Sequence, residues 1–167
     1  VNKAKSYIYE GEIFQVVISR IFQKKIDVEP LSIYRALRNL NPSPYLFFIN
    51  FNEFKIVGAS PEILIKLQDK KVTIRPIAGT RRRGSNTKED KKNEKDLLND
   101  PKEISEHLML LDLGRNDISR VTKPGTVKVT NKMYVEYFSH VMHIVSNIDG
   151  ELDKKKGTTD VLFSGFP

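Results

Sequence analysis

The chain has no cysteine, which removes disulfides, thiolate metal sites and cysteine nucleophiles from consideration. That absence suits a reducing compartment, and a cytoplasmic location is expected. Long hydrophobic runs are also missing. The longest greasy stretch, Tyr45 to Phe51, is interrupted by Asn50 and falls far short of the ~18 residues a membrane-spanning helix needs. It reads as a buried strand, and no membrane partner is expected. No signal-like segment follows Val1, and since that residue is not Met the chain is expected to begin inside a longer protein. Internal repeats are lacking as well.

What is present is ordinary globular composition. The 167 residues are 39% hydrophobic and 29% charged, enough for one domain with a core and too apolar for disorder. A formal charge of +7 invites a nucleic-acid reading, but its distribution opposes one. The densest clusters, Arg81 to Arg83, Lys88 to Lys95 and Lys154 to Lys156, fall where loops are expected, and acids interleave the middle one. A solvated lysine-rich surface, with a positive field that favours a small dianionic substrate, fits better. No nucleic-acid partner is expected.

Along the chain, short strands alternate with helices. Residues 13–26 are β-branched and roughly alternating, which predicts a long strand. Pro30 opens a helix through Asn39, and the two prolines at 42 and 44 stop it. Strands are predicted at 45–51, 54–59, 62–68 and 71–75, followed by a loop over 76–95 carrying Gly79 and Gly84. Asp100 and Pro101 then suit the N-cap and first position of a helix that runs to about Ile118. Two more strands follow at 126–139 and 141–151, and Gly157 to Pro167 starts a last helix.

Several residue types could carry chemistry. Glu103 and Glu106 stand three apart, on one face of the predicted helix, and paired carboxylates suit magnesium, which keeps waters and takes few protein ligands. Equally, Glu103 could complete the helix cap and Glu106 be solvated. His140 and His143 fall in one predicted strand on opposite faces, so one points inward; an inward histidine serves as a hydrogen-bonded core residue or as a catalyst. Pro76 to Thr80 brings a glycine that permits close ligand approach and a hydroxyl, or is simply a strand-ending turn. Glu62, after Ser60 and Pro61, is a candidate general acid or a surface residue.

In combination these segments are specific. GEIFQVVISR (11–20), NPSPYLFF (41–48), ASPE (59–62), RPIAGTR (75–81), EISEHLMLLDLGRND (103–117) and FSHVMH (138–143) occur in this order in one family. The chain resembles, from end to end, the large subunits of anthranilate synthases, within the chorismate-utilising enzymes. That resemblance implies an α+β fold with an antiparallel β-sandwich and surrounding helices, of which residues 1–167 would be the N-terminal part of the chorismate-binding catalytic domain, truncated at the C-terminus. It implies Mg2+ held by Glu106 with Glu103 beside it, and chorismate held at Ala78, Gly79 and Thr80. His143 would serve the later elimination, and Glu62 would be the general acid.

The implied reaction joins chorismate and ammonia, supplied from glutamine by an amidotransferase subunit, to give anthranilate and pyruvate in tryptophan biosynthesis. Relatives that add water carry a lysine where Gln15 stands, and many aminodeoxychorismate synthases carry a lysine at the position of Ala78. Both positions here favour anthranilate, with 4-amino-4-deoxychorismate or a non-catalytic truncated relative as alternatives. Pro44, Tyr45 and Leu46 match one wall of a tryptophan feedback site. The fragment alone is expected to be inactive.

Overall fold

A computed structural model describes residues 1–166. The chain runs α1 (Asn2–Tyr9), α2 (Pro30–Leu40), β1 (Tyr45–Asn50), β2 (Lys55–Ser60), β3 (Lys66–Gln68), β4 (Lys71–Ile74), β5 (Ile77–Arg82), α3 (Thr87–Asn99), α4 (Pro101–Ser119), β6 (Lys128–Tyr137), β7 (Val141–Glu151) and α5 (Thr158–Ser164). The α+β class holds, and every strand pair is antiparallel. Strands β1 and β2 form a two-stranded ribbon, and the other five form one sheet.

The sheet is organised around β7. One edge of β7 is shared end to end by β4, opposite residues 148–151, and β5, opposite residues 141–145. Its other edge pairs with β6. Strands β4 and β5 are thus one course interrupted at Arg75 and Pro76, where proline has no N–H for the ladder. The Pro76 carbonyl still accepts from the Ser146 N–H at 3.2 Å.

Alternation along β7 gives it two distinct faces. Met142, Ile144, Ser146, Ile148 and Gly150 face the helices, whereas His143 and Asp149 lie on the other side. Helix α4 covers the first face with His107, Leu111, Gly114 and Ile118. Asp100 caps it as expected, accepting from the N–H groups of Lys102 at 3.0 Å and Glu103 at 3.4 Å. Leu111 and Ile118 pack with Val72, Ile74, Val121, Ile148 and Val161, while Leu97 joins Met142 and Ile144 in a second cluster. Each fully buried aliphatic side chain contributes roughly 1.5–3 kcal/mol.

Three expectations need correction. Residues 13–26 form no strand: no described strand pairs with them, and Phe14, Val17, Ile21 and Phe22 are exposed. Alternation makes a segment ready for pairing, but a strand exists only with a partner. The region 76–95 is no loop, since it holds β5 and most of α3. Asn86 caps α3 by accepting from the N–H groups of Lys88 and Glu89, a start signal hidden within a highly charged stretch. Finally, β7 begins at Val141, so His140 lies in the turn before it rather than on the strand face opposite His143. The predicted last helix is present as α5; its tail at Pro167 lies outside the described residues.

Candidate active site

The site is built around an irregularity in β5. Between Ala78 and Thr80 the register with β7 shifts, and Gly79 takes a φ of +75°, a conformation that costs an L-residue dearly. The backbone turns there, and Thr80 is brought opposite His143. The Nδ1 of His143 lies 3.0 Å from the Gly79 carbonyl oxygen and 3.1 Å from Thr80 Oγ1. A carbonyl oxygen only accepts, so Nδ1 carries the hydrogen of this contact. Phe138 sets the ring edge-on, with centroids 5.3 Å apart.

Glu62 approaches the same sheet face. Desolvation pushes its carboxyl above the ordinary range, while the nearby charges of His143 and Arg75 and the Ile77 N–H pull the other way without prevailing. The residue as a whole is exposed. Arg75 is in turn held by Glu136 and by Tyr134 Oη at 3.3 Å. A carboxyl whose pKa is raised by desolvation and the His143 ring therefore share one face of the sheet.

Glu103 and Glu106 come from the other side, on α4. Both are half-buried. Glu103 Oε2 lies 3.2 Å from where a Cβ on Gly79 would stand, so the same glycine touches His143 through its carbonyl and Glu103 across its Cα. Two carboxylates three residues apart share one helix face, a donor set of the kind magnesium takes, since it uses one or two protein carboxylates and keeps its waters. Among the described residues no group of three or more histidines or acids gathers to hold a metal, so α4 offers this pair and nothing more. Ala78 is buried, and Gln15 lies in the exposed, unpaired segment.

Pro44 lines a cavity of about 220 Å3 with Pro42, Pro61, Phe138, His140 and His143. Tyr45 and Leu46 begin β1, opposite Ser60 and Ala59. A larger groove, about 620 Å3, lies at the far end of β7 around Lys71, Lys128 and Asp149. It is not the candidate site: it is wide open, and Asp149, its buried carboxylate, is already taken by Thr73, Thr130 and Lys71.

His107 is a residue that sequence reasoning passed over. It is fully buried on α4, its Nε2 lies 2.7 Å from Ser146 Oγ, and burial lowers its pKa. Ser146 Oγ also accepts from the Met133 N–H at 2.9 Å. Position 107 falls on the 104, 107, 111 apolar spacing, which was the available signal.

The model of the chorismate binding enzymes matches residues 1–167. The chain belongs to that family. Within it, the chain is 55% identical over its whole length to anthranilate synthase component 1 of Cereibacter sphaeroides, covering 33% of that protein. It is 53% identical to the Aquifex aeolicus component 1, covering 34%. The crystal structure of anthranilate synthase component I from Streptococcus pneumoniae superposes with a TM-score of 0.88 at 42% identity, over 98% of this chain and 35% of that one. A putative 2,3-dihydroxybenzoate-specific isochorismate synthase from Bacillus anthracis gives 0.71 at 25% identity, over 84% and 38%. The chain spans about a third of the length of the curated relatives it matches.

Proposed function

We propose that the chain is part of the catalytic domain of an anthranilate synthase large subunit, acting on chorismate and ammonia to give anthranilate and pyruvate. The observation that supports this most is Gly79, which joins the His143 ring to the Glu103 carboxylate within two contacts. Relatives named for this activity at 55% and 53% identity support it further.

In this reading the Gly79 turn lets the ring acid approach the main chain, and the Thr80 hydroxyl orients it. Magnesium bound by Glu106 and Glu103 supplies Lewis-acid polarisation of the ring carboxylate. Ala78 has no amine to form a covalent adduct, so ammonia itself is the nucleophile, drawn from an amidotransferase partner. Glu62, its pKa raised by desolvation, gives a proton to the departing ring hydroxyl, which leaves as water. His143 Nε2 then takes the ring proton, and the enolpyruvyl group leaves as pyruvate. Pro44, Tyr45 and Leu46 form one wall of a site for tryptophan as inhibitor.

The test is Glu106→Gln in the full-length natural protein. Magnesium-dependent formation of anthranilate, read by its fluorescence, is expected to vanish while the thermal unfolding midpoint is retained. Unchanged turnover removes the metal role.

A further inference from the structure

Beside the site, one guanidinium binds four groups at once. Arg81, the residue after Thr80, donates from Nε to Asp96 at 2.6 Å, from Nη2 to Asp100 at 2.7 Å and from Nη1 to the Thr80 carbonyl at 3.0 Å. Its Nη1 also lies 3.6 Å from Glu103 Oε1. Asp96 closes α3, Asp100 caps α4 and Glu103 sits in the first turn of α4. The other oxygen of Glu103 rests against the Gly79 turn. We infer that Arg81 is a positioning residue for the cation site: it fixes the Glu103 carboxylate, and with it the start of α4, against the Gly79–Thr80 turn.

This rests on the metal reading above and deepens it. The geometry calls for a planar fork rather than for charge alone. Three different nitrogens of Arg81 each have their own acceptor, and a lysine ammonium on a flexible stem cannot reproduce that arrangement. Arg83 supplies an internal control. It grips Asp90 with Nε at 3.1 Å and Nη2 at 2.7 Å and the Phe138 carbonyl with Nη1 at 2.8 Å. It therefore ties the residue just after β5 to α3 with comparable bonding, and among the described residues its ion pair is with Asp90 rather than with the acids of α4.

The experiment measures Mn2+ binding without chorismate, by electron paramagnetic resonance of the free ion, in the full-length natural protein and in Arg81→Met, Arg81→Lys, Arg83→Met and Glu106→Gln. Removing a partner that orients a metal-ligating carboxylate costs on the order of 10–100-fold in affinity, so both Arg81 variants are expected to weaken Mn2+ binding at least ten-fold on that scale. Arg83→Met is expected to stay within about two-fold, as independent sites do, with a thermal midpoint lowered as much as in Arg81→Met. Native affinity or tighter binding in Arg81→Met overturns the inference, as does rescue by lysine or an equal loss in Arg83→Met. If the native protein and Glu106→Gln bind Mn2+ alike, the metal reading itself fails and the inference falls with it.

Discussion

Gly79 stands at a φ of +75°, with Leu97 Cδ1 at 3.1 Å, Glu103 Oε2 at 3.2 Å and Ile144 Cδ1 at 3.3 Å from the position of an added Cβ. Gly79→Ala therefore combines backbone strain with displacement of a candidate ligand. It is expected to lower stability by about 1–3 kcal/mol, measured by urea unfolding, and to raise the KM for chorismate in the full-length protein. Glu62 carries a second prediction at this scale. Its folded pKa is raised, mainly by desolvation, so its contribution to stability is complete at low pH and is lost as pH rises through the folded value. Replacing it with glutamine should therefore leave stability unchanged under acid conditions and increase it relative to the native chain at neutral pH. A difference that grows toward low pH would show that the carboxyl is not desolvated.

Among the elements, α4 and β7 fix the relation between the two halves of the site. Gly114 lets them approach: a Cβ there would lie 2.8 Å from Ile148 Cδ1 and 3.1 Å from Ile74 Cγ2. Gly114→Val is expected to cost about 1–3 kcal/mol by overpacking, again by urea unfolding, while Ala at exposed Arg115 should be close to neutral. At the far end, burial pushes Asp149 up, but hydrogen bonds from Thr130, Thr73 and Lys71 outweigh it and hold the carboxyl below its ordinary range. Its stabilisation is present above the unfolded pKa and fades as pH falls through the folded one. Asp149→Asn should thus lower stability by about 1–3 kcal/mol at neutral pH, the loss disappearing in acid.

Legibility followed the same physics. Helix α4 was readable because its cap, its proline and its apolar spacing coincide, and Pro30 opened α2 for the same reason. Helix α3 was not, because Thr87 to Asn99 buries only Asp90 and Leu97. Besides Leu97 it is held by the Asn86 cap, by Arg83 on Asp90 and by Arg81 on Asp96, polar contacts that no periodicity reveals. In the site, Glu62, Thr80 and His143 were named from the sequence, and they meet on one sheet face. Spacing could not show that Gly79 bulges to reach both His143 and Glu103, nor that Arg81 serves the acids.

At the scale of the whole molecule, the apolar segment from Glu12 to Glu29 has no partner strand among the described residues. Limited chymotrypsin digestion of this 167-residue chain should cut first beside Phe14 or Phe22, both exposed at 84% or more; first cleavage within β7 would contradict the fold. The helices and sheet otherwise enclose the two cores, with Gly79 itself buried and Thr80 exposed beside it. The Gly79 turn, between the acids of α4 and His143, is the centre of the account. The most direct measurement supplies the full-length natural protein with chorismate, ammonium and Mg2+ and identifies what forms. Anthranilate and pyruvate in equal amounts are the predicted result. Accumulation of 4-amino-4-deoxychorismate or isochorismate, or no consumption of chorismate, would contradict it.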